Sequence, residues 1–486
     1  MTTIPFGQYA PDVASIGTSF TNYVKNVYPQ VADGYGPMHG PDDFTLAMTG
    51  TPQGLYGAIN LDGSSALFAG SGTKLYKLNG VTNAWEDVTR ASGGDYSVAS
   101  TALWDFCQFG SIVIAVADGN APQSFTLGSS TKFAALGGSP PQARRVSNVG
   151  DFVVLSGLTS NQNRIQWSAI NDTTGWTAGT NLSDYQDFPD GGAVQGVAGG
   201  EFGVVFQERA IRRMIFVGPP SIFQFQRISS DRGALTRYAF CQAAGNIFFL
   251  ANDGFYKIDP GGGITDIGSN RVNRKIIDEI DPTEQHHVQA VSDPSSPRVM
   301  WFYRSVDNGQ PYMDRALIYD WSIDRWSYAE IEAYVVSTSL PMSATLEGLD
   351  AAGTMETLPF SLDNYTSQLT REISLICSDK TTCKLTGAYL EAEIDTPEGS
   401  IGDGMRSFTR SIAPITDAAG AYVSTLSRSR LIDAKVQGTE TAIGVRGYAS
   451  LRTNTRFGTV RVRIPSAETW TFARGVDVVT QKSSFR

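Results

Sequence analysis

Histidine is the scarcest chemistry-bearing residue in this 486-residue chain, with three copies, and cysteine follows with four. So few imidazoles leave little from which to build a metal centre or a histidine-based triad. His286 and His287 are neighbours, and two neighbours in a strand point to opposite faces, so they are not expected to close on one metal; His39 stands alone. Four cysteines are too few for a disulfide framework at this length. Cys377 and Cys383 flank SDKTT and face each other if that segment is a hairpin, but reduced thiols on strands are the expected state. No apolar run approaches the roughly 20 residues of a spanning helix, so no stable membrane insertion is expected. The opening MTTIPFGQYAPD lacks a basic segment before an apolar one, which predicts no signal peptide and a soluble chain made in a cytoplasm.

Helix-forming runs are also scarce. Only RVNRKIIDEI, from Arg271 to Ile280, places apolar residues (Val272, Ile276, Ile280) on one helical face, and it stops before Pro282. Charge is acidic overall, at -10, but unevenly spread: residues 1–370 hold 22 basic and 36 acidic side chains, and residues 371–486 hold 16 and 12. An acidic body disfavours tight sequence-independent binding of nucleic acid. It suits either ordinary solubility or a surface along which a polyanion slides.

What the chain has in abundance is glycine, 50 residues, together with short apolar runs broken by Gly, Asn and Asp. ALFAGSGTKLYKLNGVTNAWEDV, from Ala66 to Val88, reads as strands joined by a Gly70-Ser71-Gly72 turn and a second turn before Trp85. Phe248 to Gly268 and Ala316 to Ile331 repeat that grammar. Meanders recurring every 35 to 55 residues or so predict an all-β fold, an irregular β-propeller of about six blades, since one such unit cannot bury both faces alone. Residues 1–50, with Pro5, Pro11, Pro29, Pro37 and Pro41, read as an extended N-terminal arm lying along the body or a neighbour. The propeller is assigned to 51–335, a linker or ring-closing segment to 336–370, and a β-sandwich or barrel-like domain to 371–486. Strands are expected there at 385–394, 406–412, 442–451, 457–464 and 470–479. In GTVRVRIP, Val460, Val462 and Ile464 share one face and Arg461 and Arg463 the other, which predicts a basic face.

No catalytic constellation surfaces. Gly70 to Lys74 lacks the order of a phosphate loop and leads into a strand where such a loop opens a helix. The glycines from Gly191 to Gly200 lack dinucleotide-binding spacing. SAINDTTGW, from Ser168 to Trp176, breaks the Asp-box spacing of sialidase-like propellers. Asp42 with Asp43, and Asp278 with Glu279, read as solvated surface. Arg144-Arg145 and Arg212-Arg213 read as solvated strand edges, with an intersubunit or nucleic-acid contact as the other reading. No catalytic, cofactor-binding or metal-binding residue is therefore assigned, no cofactor is expected, and the chain is not expected to be an enzyme.

An arm with NVYP (Asn26 to Pro29) and GYGP (Gly34 to Pro37), blades with FGVVFQERAIRRMIFVGPPSIFQFQRIS, and a tail with TRFGTVRVRIPSAETWTFARGVDV together resemble the tail nozzle or hub proteins of short-tailed bacteriophages, also called phage stabilisation proteins. The resemblance spans most of the chain and rests on pattern. It implies a structural virion protein, assembled in the host cytoplasm into a hexameric ring below the portal and the head-to-tail adaptor. Such a ring contacts tailspikes or fibres and a needle or plug, and surrounds the channel through which DNA passes without sequence-specific binding. Two rivals remain: a fibre-associated propeller that binds or hydrolyses carbohydrate, and a tail-tip attachment protein of a long-tailed phage.

Overall fold

The computed structural model describes residues 2–31, 34–339, 371–399 and 406–484. Six sheets of four consecutive antiparallel strands run from Pro52 to the long strand Arg325–Ser339, beginning at Pro52–Ile59, Asp105–Phe109, Ala143–Val149, Val194–Ala198, Phe240–Ala243 and Gln289–Ser292. These are blades one to six, and the first strand of each is innermost. The fold is an all-β propeller.

A further four-stranded unit closes the ring. Arg325–Ser339 pairs through its first part with blade six, and from Ala333 onward with Glu372–Cys377. Glu372–Cys377 pairs with Thr382–Lys384, which pairs with Asp42–Asp43 from the arm. This seventh blade thus takes its innermost strand from blade six and its outermost from the N-terminus. Of the expected linker, Val336 to Ser339 finish that inner strand, and 340–370 lie outside the described residues. Six of the seven blade interfaces have an apolar cluster of their own, and the joint between blades five and six belongs to the larger core shared with the sandwich. Phe68 meets Phe125 and Phe133 between blades one and two, Val335 and Ile376 meet Leu55 and Leu67 between seven and one, and similar sets fill the rest. Burial of these faces is what a single blade cannot achieve alone.

Trp85 packs half-buried beside the cluster between blades seven and one, as a scaffold residue does. Gly70 was expected in a turn, yet it lies in the strand Ser65–Ser71, and the turn itself is closed by Ser71 N–H donating to the Lys74 carbonyl. A Cβ at Gly70 would come within 2.2 Å of the Trp104 ring, so this glycine serves close packing between blades one and two.

Beyond blade seven, two six-stranded sheets form a sandwich. One contains Arg406–Thr416, Ala449–Thr455 and Ala473–Ser484, and the other contains Ala392–Asp395, Tyr422–Arg428 and Phe457–Ile464. The segment expected as one strand at 385–394 is a turn leading into Ala392–Asp395, and 442–451 is split between Thr441–Ala442 and Ala449–Thr455. The arm lies along its own body. Thr2–Pro5, Val27–Pro29 and Tyr35–Pro37 join the first sheet, and Val24–Lys25 joins the second. Propeller and sandwich share one core, to which the arm contributes Phe6, Tyr9 and Tyr35, the propeller Trp301 and Trp326, and the sandwich Trp470.

The expected helix is present at Asn273–Glu279 with Ile276 buried, and it is capped from a distance. Both Asp12 carboxylate oxygens accept from its first turn, from Arg274 N–H at 2.8 Å and Lys275 N–H at 2.9 Å. Asp12→Ala is expected to lower stability by about 1 kcal/mol, read as a shift in the denaturant midpoint.

Candidate functional site

The channel enclosed by the inner strands holds a cavity of about 350 Å³. Its walls carry Tyr56, Trp104, Asp105, Arg145, Tyr238 and Gln289. Asp105 on blade two accepts from Val146 N–H at 2.7 Å and pairs with Arg145 Nε of blade three at 3.3 Å. Burial pushes its carboxyl above the usual range, against the opposing pull of Arg145. The Arg145 guanidinium also lies over the rings of Tyr238 at 4.6 Å and Phe240 at 5.3 Å, on the blade-five side. The Tyr238 hydroxyl donates to the Leu103 carbonyl. These polar groups tie blades two, three and five together, and the described lining residues include no histidine.

Several residues singled out in the sequence fall elsewhere than expected. Neither arginine pair is a solvated edge. Arg144 pairs with Asp118 at 2.9 Å, and Arg145 lines the channel. Arg212 is buried, bonded to Asp190 and Gln207 and stacked on Phe188, while Arg213 lies over Phe202 at 3.9 Å. Long cationic stems lie along neighbouring strands and loops here, so aromatic rings and carboxylates replace water.

Arg461 and Arg463 do share a face, but it is not basic. Arg461 meets Asp395 at 2.6 Å and Glu393 at 3.2 Å, and Arg463 meets Glu440 at 2.7 Å and Glu391 at 2.9 Å. Cross-strand pairing brought in carboxylates that no local pattern displays. The Asp278-Glu279 pair separates: Asp278 is exposed beside Arg274, whereas Glu279 accepts from the buried Tyr303 hydroxyl at 2.9 Å. Asp42 and Asp43 are exposed and form the outer strand of blade seven. In the Ser168 to Trp176 segment, Asp172 closes a turn with Thr174, and Trp176 is buried with its indole N–H on the Thr173 carbonyl. His39 bonds the Gly387 carbonyl and packs on Tyr389.

Two expectations are overturned outright. Cys377 and Cys383 are joined by a disulfide across the hairpin of blade seven, because the turn brings their Cα atoms to 6.5 Å. Cys383→Ser is expected to cost about 2 kcal/mol, the entropy of closing so short a loop, read from denaturant curves with and without reductant. His286 and His287 lie in the 3₁₀ turn Gln285–His287 and not in a strand. Three residues per turn set His287 over Glu284, and the two imidazole centroids are 4.2 Å apart. Burial lowers the affinity of both rings for a proton, His287 to a pKa of about 4 with help from the neighbouring imidazole and Arg304. Glu284 was missed in the sequence, although E-x-H-H before a strand is the signal that could have found it.

Apolar side chains on the outer surface concentrate in one segment of the sandwich, residues 431–448. Ile432 is 87% exposed and Val436 67%, with Leu431, Val445 and Tyr448 also open to solvent. Among the described residues, no helix is long and apolar enough to cross a membrane.

No family model matches the chain, and no curated protein does. Solved structures similar to it include the extracellular domain of the putative hybrid two component system BT4673 from B. thetaiotaomicron. That match has a TM-score of 0.42 and 11% identity over 71% of this chain, and spans only 39% of that chain. A catalytically inactive virginiamycin B lyase from Staphylococcus aureus with quinupristin gives 0.39 and 11%, over 60% of this chain and 91% of that one. The Neurospora crassa Pan2 WD40 domain gives 0.39 and 7%, over 64% and 91%. Likeness at this level says nothing of activity.

Proposed function

We propose that this chain is a structural subunit of a bacteriophage tail, a nozzle or hub protein that forms a ring around the DNA exit channel below the portal and adaptor. The observation that carries the reading is the segment 431–448, where Leu431, Ile432, Val436, Val445 and Tyr448 stand exposed on a sandwich whose core is otherwise closed. Exposed apolar groups gathered in one place mark a surface that associates. Support also comes from the resemblance of Asn26 to Pro29, Gly34 to Pro37, Phe202 to Ser229 and Thr455 to Val478 to tail nozzle proteins. The cross-braced arm, propeller and sandwich suit a load-bearing part. Such a ring uses head-to-tail contacts closed by rotation, with the tailspike or fibre and a needle or plug as further neighbours.

The purified chain is expected to be monomeric or weakly associated at micromolar concentration by mass photometry, and to form a ring with its adaptor. The double variant Ile432→Asp, Val445→Asp should block the ring while leaving thermal unfolding unchanged. Full rings without a partner would contradict the assembly step, and absence of the chain from purified particles would overturn the reading.

A further inference from the structure

The turn between the helix and blade six brings Glu284, His286 and His287 together, with one ligand atom from each lying within 4.8 Å of the others. Glu284 Oε2 stands 3.3 Å from His286 Nε2 and 3.1 Å from His287 Nδ1. Ligands about 2.0–2.1 Å from a tetrahedral zinc ion are about 3.3 Å from one another, so both separations are those of atoms sharing one ion. His287 Nδ1 is buried against the Glu284 carboxylate and faces it alone.

The surroundings leave Oε2 available. Arg304 Nη1 engages the other oxygen, Oε1, at 3.1 Å, and orients the carboxylate as outer partners of metal ligands do. The backbone is fixed too, by His287 N–H on the Glu284 carbonyl at 2.9 Å and Val288 N–H on the Gln285 carbonyl at 3.0 Å. The three side chains are partly exposed, between 14% and 27%, which gives an ion a path in and leaves room for water as a fourth ligand.

From this geometry we infer that Glu284, His286 and His287 form a binding site for a zinc-class divalent transition metal ion. The donor set of two imidazoles and one carboxylate suits zinc and cobalt, and is poorly suited to calcium or magnesium, which take oxygen ligands. The ion would fasten the turn that leads from the helix into the inner strand of blade six. This site is independent of the tail role proposed above.

The test uses the full chain, stripped of metal with chelator and desalted. Titration with Co²⁺ should give one equivalent bound, with visible absorption of tetrahedral intensity that Zn²⁺ abolishes by displacement. His286→Ala, His287→Ala and Glu284→Gln should each weaken Co²⁺ binding at least tenfold, Arg304→Met should weaken it less, and His39→Ala should leave it unchanged. Should a variant fail to fold, X-ray absorption on the zinc-loaded wild-type chain decides the matter: two imidazole ligands support the site. No stoichiometric binding, or binding that survives loss of both His286 and His287, overturns it.

Discussion

Arg325→Ala is expected to lower the unfolding free energy by about 3–5 kcal/mol, and to free the N-terminal arm for proteolysis. Arg325 is buried, and the carboxylate of Asp320, opposite it on the neighbouring strand, is engaged by Arg298 at 3.5 Å. The Arg325 guanidinium donates to three carbonyls of the arm, those of Gln30, Gly34 (3.2 Å) and Gly7 (3.0 Å), and lies 5.0 Å from the Tyr35 ring. Removing it deletes hydrogen bonds from a charged donor, about 1.5–3 kcal/mol each, although the Gly7 carbonyl keeps the Tyr35 hydroxyl and the Gly34 carbonyl keeps the Gln30 N–H. Neighbouring bonds hold the same seam, Asn26 N–H to the Tyr328 carbonyl and Glu330 N–H to Asn26 Oδ1. They are expected to keep the chain folded in mild conditions. Limited proteolysis should therefore cut within residues 2–48 of the variant well before the propeller. Arg325→Lys should recover only part of the loss, because one ammonium lacks the planar fork that spans separated acceptors. An arm as protected in the alanine variant as in the parent would sink this account.

Trp326→Ala, at the next residue, is expected to cost a similar amount, about 3–5 kcal/mol, by a different route. Strand alternation turns Trp326 away from the arm and into the joint between blades five and six. There its ring packs on Phe255 at 4.9 Å, Tyr319 at 4.7 Å and Trp301 at 5.8 Å, and its N–H donates to the Ile267 carbonyl at 2.9 Å. Truncation leaves a large cavity and an orphaned carbonyl. Trp326→Phe should restore most of the packing and none of the hydrogen bond. The two alanine variants are separable by readout: both lower the denaturant midpoint, but only Arg325→Ala should release the arm. Because the sites are adjacent, their combined cost need not be the sum.

These two residues show what could and could not be read beforehand. Short apolar runs and turn residues in Ala316 to Ile331 marked it as one of the repeated meanders. Nothing local to Arg325 told that its partners would be carbonyls some 300 positions earlier. The same holds for Arg461 and Arg463, legible as one face of a strand but not as neutralised by Asp395, Glu393, Glu391 and Glu440. His286 and His287 went astray for a nearer reason. The separation of adjacent side chains depends on whether the backbone is extended or turned, and the turn there is set by packing between the helix and blade six.

By itself the sequence determined the all-β character, the six blades built from consecutive strands, the helix at Asn273–Glu279 and the strand at Phe457–Ile464. Each of these follows from periodicity and turn residues within a few tens of positions. Tertiary structure alone decided the seventh blade, whose strands come from Arg325–Ser339, Glu372–Cys377, Thr382–Lys384 and Asp42–Asp43. It also decided the disulfide, the weaving of the arm into both sandwich sheets and the convergence of Glu284 with two histidines. The physical reason is common to all four: they join segments through pairing or burial that a stretch of chain cannot register until the rest of the ring and sandwich is in place.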